Sequence, residues 1–284
     1  MRTNPYSKSC VDVETQFVSV PCGDRFAYRV TGEESNVPIV LFNHLAGVLD
    51  DWDPAVVDGI AAKHRVITFD NRGIGGSQGA TPRSVGEMAD DAIAFIKALG
   101  HSKVDLFGFS LGGAVAQDVV LKEPNLARKL ILAGTGPGGG IGITRIPGQA
   151  YRNQLRSMMT RKDIRRYLFF TKTKNGLQKA TEFLARLKRR KHDRVKPISF
   201  KSFRSQLAAI SRFGKRSELD WQRIEQPVLV ANGEDDIMVP SINSAHLYLG
   251  LPDAKLVLYK DAGHAGVFQY HEEFVSEALR FLSD

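Results

Sequence analysis

Short apolar runs recur along the chain, and helical patterns fill the intervals between them. Residues 38–42 (Pro-Ile-Val-Leu-Phe) form one unbroken run, and similar runs stand at 65–69, 103–107, 129–133, 227–231 and 255–259. Runs this short, without polar alternation, fit strands covered on both faces of a sheet. Two earlier strand patterns, at 15–20 and 26–30, read as an antiparallel pair. Apolar residues at helical spacing occupy 85–99, 111–122, 241–249 and 272–282. Strands therefore alternate with helices, which predicts an α/β protein built on a mostly parallel, doubly wound sheet.

One interval breaks the alternation. After Ala133, a Gly- and Pro-rich stretch at 134–140 leads into residues with helical periodicity and no strand pattern. Within it, 178–191 and 200–213 are amphipathic. The expected organisation is a core of residues 1–136 and 217–284, with a helical cap at 137–216 inserted above the sheet.

Length and composition narrow the class. A chain of 284 residues with 43% hydrophobic and 25% charged residues fits a globular protein with one substantial core. No apolar run approaches the roughly 20 residues that span a bilayer. The first residues carry Asp12 and Glu14 and no continuous apolar segment, so no signal peptide is expected and the default location is cytoplasmic. Cys10 and Cys22 lack metal-ligand spacing, and a single bridge between them stays open.

Charge is distributed unevenly. Residues 145–216 hold 22 Lys/Arg against three acids (Asp163, Glu182 and Asp193), a net +19, whereas the rest of the chain is −11. An acidic body thus carries one very basic segment. Its densest run, Lys188-Arg189-Arg190-Lys191, reads as a solvated helix face. Two alternatives are steering of an anionic substrate and adhesion to nucleic acid or acidic membrane. No nucleic-acid motif accompanies the charge, so the last is the weakest.

The candidate chemistry begins at Gly108-Phe109-Ser110-Leu111-Gly112, a G-x-S-x-G pentapeptide between the run at 103–107 and the helix at 111–122. A serine at a sharp strand-to-helix turn stands exposed at the end of a sheet. It needs a base, and the base needs an orienting carboxylate. In doubly wound sheets such groups gather beyond the carboxyl ends of the strands. Two later strands lead into fitting loops: Asn232-Gly233-Glu234-Asp235-Asp236 and Lys260-Asp261-Ala262-Gly263-His264. His246 and His271, in helical patterns, compete with His264, and Glu234 and Asp235 compete with Asp236.

On these motifs the chain resembles the α/β-hydrolase superfamily over nearly its whole length. The resemblance implies Ser110 as nucleophile, His264 of the Gly-His pair as base, and Asp236 of the G-x-x-D turn as acid. Asp70-Asn71-Arg72-Gly73-Ile74-Gly75-Gly76-Ser77 is similar to the family's D-x-R-G-x-G-x-S turn, which is structural. The Leu111 amide is the expected first oxyanion donor. The second normally follows a His-Gly pair, but this chain has Asn43-His44-Leu45-Ala46 there. Counting back from Trp52 selects Leu45, with Ala46 the alternative. His44 either contacts substrate or fixes the loop, and Phe109 is a further substrate-contact candidate. Tyr167, Leu168, Phe169, Phe170, Phe183, Leu184 and Leu187 are candidates for the cap's underside.

The resemblance implies an esterase or lactonase acting through an acyl-enzyme on a small ester or lactone, with no metal or organic cofactor. Cofactor-free perhydrolases and carbon–carbon bond hydrolases share the same triad. A small-molecule receptor on this scaffold is the non-enzymatic alternative. Oligomeric state is left open.

Overall fold

Among the residues that the computed structural model describes (8–21, 23–34, 37–217 and 220–283), eight strands form a single sheet. Strands β1 (Gln16–Ser19) and β2 (Arg25–Thr31) pair antiparallel, as their patterns predict. β3 (Ile39–Phe42), β4 (Val66–Phe69), β5 (Val104–Phe109), β6 (Ala127–Ala133), β7 (Val228–Gly233) and β8 (Ala254–Tyr259) run parallel to one another. The order across the sheet is β1-β2-β4-β3-β5-β6-β7-β8, and β2 joins β4 antiparallel. Every residue of β3, β4, β5 and β7 is buried, which explains why they read as largely apolar runs. Edge strand β8 is only partly covered.

Helices α1 (Pro54–Ala61), α2 (Val85–Ala98), α3 (Leu111–Lys122), α8 (Ile242–Gly250), α9 (Gly266–Gln269) and α10 (His271–Ser283) follow individual strands or one another. α1 is too short for periodicity to reveal, yet its start is marked: Asp53 caps it by accepting from the Ala55 N–H at 3.0 Å, and Pro54 occupies the first turn. Between β6 and β7 come α4 (Ile146–Thr160), α5 (Arg165–Leu168), α6 (Lys174–Leu187) and α7 (Phe200–Phe213), and no described residue there is a strand.

α6 begins and ends four residues earlier than the amphipathic pattern suggests. Thr173 caps it through the Gly176 N–H, and Lys188 closes it. The run at 188–191 is therefore not a helix face. Lys188, Arg189 and Lys191 are exposed, but Arg190 is buried, because its guanidinium turns inward to the Cys10 and Val13 carbonyls and the Asp193 carboxylate. Pairing of Cys10 with Cys22 lies outside the described residues. No helix among them is long and apolar enough to cross a membrane.

Candidate active site

The sheet places the reactive groups at one end, on loops beyond the carboxyl ends of β3, β5, β7 and β8. β5 runs two residues further than its apolar pattern and delivers Ser110 directly into α3. Ser110 adopts φ 57° and ψ −117°, a conformation L-residues rarely hold, and its N–H donates to the Ala133 carbonyl at 2.8 Å. Two glycines allow this elbow. A Cβ on Gly108 would stand 2.5 Å from the Gly112 carbonyl oxygen, and one on Gly112 would collide with the Phe42 carbonyl at the end of β3. Because backbone cannot swing aside as a side chain does, Gly112→Ala is expected to destabilise the fold by about 2 kcal/mol or more. Urea unfolding checks this; an unchanged midpoint would show that the β3–α3 contact gives way freely.

The structure brings Ser110, His264 and Asp236 together. The Ser110 hydroxyl lies 2.8 Å from His264 Nε2, and His264 Nδ1 lies 2.7 Å from Asp236 Oδ2. A carboxylate beside Nδ1 holds the proton there, so Nε2 is free to accept the serine proton. Asp236 is itself fixed, since its Oδ1 accepts from the Met238 and Val239 N–H groups at 2.7 and 3.0 Å. Its neighbours Glu234 and Asp235 are exposed, as is His246, while His271 is half-buried at the start of α10. Asn232 braces the acid loop: its side chain donates to the Val239 carbonyl and the Ser244 hydroxyl, and accepts from the Gly233 N–H. Asn232 precedes the G-x-x-D turn and carries no catalytic signature, so motif reading passes over it.

The loop after β3 is cross-braced. The Asn43 amide donates to the Val48 carbonyl and accepts from the His44 N–H. Asp70 ties the end of this loop to its own turn, accepting from Leu49 N–H at 2.7 Å and Gly76 N–H at 2.8 Å. Arg72 of the same turn pairs with Asp24, which lies between β1 and β2, in keeping with a structural role for the motif. Two amides in the region differ in their engagement. The Ala46 N–H donates to Gln206 Oε1 at 2.8 Å, whereas no hydrogen bond among the described residues engages the Leu45 N–H. Leu111, first residue of α3, has an N–H with no intrahelical acceptor.

His44 is buried, with Nδ1 2.8 Å from the Leu45 carbonyl oxygen. Burial, the largest cause, pushes its pKa down from 6.5 to about 4. The ring is thus neutral when folded, while in the unfolded chain it titrates near the ordinary value. Between those two values the unfolded state binds more protons, so stability is full above pH 6.5 and falls as pH drops toward 4. The contribution at stake is on the order of 3 kcal/mol. His44→Phe is expected to flatten this limb of a stability–pH profile measured by urea unfolding; an unaltered slope would assign it to other groups.

Phe109 is completely buried and lines neither of the two cavities described below. Its ring stands behind both imidazoles, 5.6 Å from His44 and 5.1 Å from His264 between centroids, so it supports their positions. Phe169, from the segment between β6 and β7, packs on the same two rings at 5.1 and 5.7 Å. Its carbonyl accepts from the Ala265 N–H, which joins that segment to the His264 loop. Phe183 and Phe170 pack behind Phe169, and Leu168 lines the cleft described next.

A cleft of about 700 Å³ opens beside the loop after β3. His44, Leu45 and Ala46 form one wall, and residues of α4, α5 and α7 with the 197–199 stretch form the other. A smaller hollow at Ser110 is lined by Leu111, Ile143, Ile146, Ile210, Phe213 and Val239. Among the described residues, Arg165 is the one Lys or Arg lining the cleft, and it is held by Asp51 and by Asp163 at 2.7 Å. Other arginines of the basic segment are likewise matched to body carboxylates: Arg186 to Asp53 at 2.6 Å, Arg190 to Asp50 at 3.6 Å and Arg216 to Asp118 at 2.6 Å. Asp50, Asp51 and Asp53, directly beyond the loop after β3, are the ridge on which this segment sits. Single acids scattered in a loop gave no motif from which sequence reading could find them.

With this geometry in place, comparison with known proteins is decisive about ancestry. A family model described as the alpha/beta hydrolase fold matches residues 37–269. The chain belongs to the α/β-hydrolase family. A solved α/β-hydrolase fold protein from Chitinophaga pinensis superposes with a TM-score of 0.92 at 36% identity, covering 98% of this chain and 100% of that one. A candidate carbamate hydrolase, RutD, of Rhizobium rhizogenes is 28% identical over 250 residues, 86% of this chain and 92% of the relative. A structure of Est816, titled as an N-acyl homoserine lactone degrading enzyme, has a TM-score of 0.71 at 25% identity, covering 93% of this chain and 99% of that one. This α/β-hydrolase is therefore an enzyme of a family whose relatives carry hydrolase names and act on small molecules.

Proposed function

We propose that this α/β-hydrolase is a serine hydrolase that cleaves a carboxylic ester or lactone through an acyl-enzyme. The hydrogen-bonded relay from Ser110 through His264 to Asp236 carries the reading. As Ser110 Oγ bonds to the carbonyl carbon, His264 Nε2 takes the hydroxyl proton, and Asp236 steadies the imidazolium that forms. The same proton passes to the leaving alkoxide oxygen as its bond to carbon breaks. Water then gives its proton to His264 and attacks the acyl carbon, and Ser110 recovers a proton as the acid departs.

The tetrahedral oxyanion is bound by the amides of Leu111 and Leu45. Leu45 is preferred to Ala46 because Gln206 already occupies the Ala46 N–H. Residues 137–216 act as a cap over the two cavities, and the substrate's chain occupies the larger one. The names of the relatives, a carbamate hydrolase and a lactone-degrading enzyme, agree with acyl transfer to water. The test is labelling with a fluorophosphonate probe, followed by peptide mapping and an ester and lactone panel varied in chain length. Modification at Ser110 with turnover of some member is expected. An unlabelled Ser110 would remove the nucleophile from the mechanism.

A further inference from the structure

The outer face of α4 is apolar where a surface helix normally shows polar side chains to water. Ile146 and Ala150 are buried and Asn153 and Ser157 half-buried, so a face recurring every three or four residues packs inward. Tyr151, Leu155, Met158 and Met159 recur at the same spacing on the opposite face, and all four are exposed. Phe200, at the start of α7, joins them. Phe203, one turn further along α7, packs edge-on against Tyr151 with ring centroids 5.9 Å apart. Leu155, Met158, Met159 and Phe200 are each at least 60% exposed. Tyr151, Met158 and Phe200 also line the larger cleft, so this apolar rim is continuous with its mouth. A contiguous exposed apolar patch rimmed by polar groups marks an interaction surface.

The charge around the rim decides what covers it. Neither α4 nor α7 contains an acidic residue. Arg152 on α4 and Lys201 on α7 are exposed and pair with no carboxylate among the described residues. Arg156 and Arg204, also exposed, lie over the rings of Tyr167 and Phe200 at 4.2 and 6.0 Å. These cations differ from Arg186, Arg190 and Arg216, whose partners belong to the body. A second copy of the chain seated symmetrically on the rim would bring two sets of cations together, with no acid on α4 or α7 to offset them. A nucleic acid would pair the cations but leave Leu155, Met158 and Met159 against phosphate and sugar. An anionic lipid surface satisfies both: its headgroups pair the Lys and Arg, and the apolar side chains enter the acyl boundary.

We propose that the α4–α7 rim docks on an anionic phospholipid bilayer, with Leu155, Met158 and Met159 inserted and the mouth of the larger cleft turned to the lipid. Binding of this kind is peripheral and needs no helix that crosses the membrane. A water-insoluble ester dissolved in the lipid then enters the cleft without passing through water. That consequence rests on the proposed ester hydrolysis, whereas the docking itself does not.

Flotation of the full chain with vesicles provides the test, using phosphatidylcholine alone and phosphatidylcholine mixed with phosphatidylglycerol. The wild type is expected to bind the mixed vesicles at least about tenfold more tightly than the neutral ones, and to lose that advantage as salt rises. Arg152→Gln combined with Lys201→Gln should weaken binding by about tenfold or more. Arg189→Gln combined with Lys191→Gln removes the same charge from exposed positions outside the rim, and should weaken it by less than about threefold. Leu155→Gln combined with Met159→Gln, at exposed positions that do not line the cleft, should weaken it by about tenfold or more. Equal binding to the two kinds of vesicle, binding to neither, equal losses from the two charge pairs, or full binding after the Leu155 and Met159 substitutions overturns the proposal. So does a wild-type dimer that those last substitutions dissociate, which would seat a second copy on the rim. RNA that displaces the protein from the vesicles would place nucleic acid there and overturn it too. The wild-type comparison decides alone if a variant does not fold.

Discussion

Ser110→Ala is expected to lower kcat/KM toward a cleaved ester by roughly 10³- to 10⁶-fold, the range seen when a triad nucleophile is removed. The size of the loss follows from the arrangement at the elbow. His264 Nε2 has the serine hydroxyl as its hydrogen-bond partner, and Asp236 holds the other ring nitrogen. Without the hydroxyl, His264 has no bound nucleophile from which to take a proton. Only substrate binding and the polar groups around the bound carbonyl would remain to accelerate attack by water. The substitution should spare the fold, since alanine meets the same left-handed backbone strain as serine at φ 57°. Steady-state kinetics with thermal unfolding of both proteins separates the two effects. An alanine variant retaining a tenth of the activity, at unchanged stability, would exclude Ser110 as nucleophile.

The largest effect on stability is expected at Asp50. Its side chain is 2% exposed, and it accepts from Arg29 Nη1 at 2.8 Å and from the Val195 N–H at 2.9 Å. Arg190 lies 3.6 Å from the same carboxylate. The side chains of Arg29 and Arg190 are only 4% and 5% exposed. Asp50→Ala would leave two buried guanidiniums facing each other without their shared counter-charge. Removing one partner of a buried ion pair costs about 3–5 kcal/mol, far more than the net worth of the pair. For a chain of this size that corresponds to a fall in Tm on the order of 10 °C. The exposed pair Lys97–Glu123 supplies the contrast, with side chains 53% and 42% exposed. Lys97→Ala should change stability by less than about 1 kcal/mol, because solvent screens the pair. Calorimetry of both variants checks this, and equal, small shifts would mean that water or rearrangement replaces the buried network.

The same cluster explains the charge imbalance along the chain. The acidic body and the basic segment are complementary surfaces: Asp50, Asp51, Asp53 and Asp118 receive arginines of the segment between β6 and β7. Much of what looks in sequence like a patch for an external anion is engaged within the molecule, at the ridge just beyond the loop after β3.

What the sequence determines by itself is local and periodic. Continuous apolar runs are imposed by burial on both faces, so β3 to β7 were legible, and the G-x-S-x-G turn was legible because few residues tolerate a strained elbow against neighbouring backbone. The loops carrying Asp236 and His264 followed from strand order, since a parallel sheet gathers the ends of its strands. Tertiary structure alone decided the rest. Which of Glu234, Asp235 and Asp236 meets His264 depends on how a five-residue loop folds, and the N–H groups of Met238 and Val239 settle it. Whether Ala46 or Leu45 keeps an unengaged amide depends on Gln206, which is 160 residues away along the chain. That Arg190 is buried rather than solvated depends on the carbonyls of Cys10 and Val13 and on Asp50, all remote in sequence. Hydrogen bonds and ion pairs of this kind have no periodicity, and their partners become neighbours only when the segment between β6 and β7 comes down on the sheet.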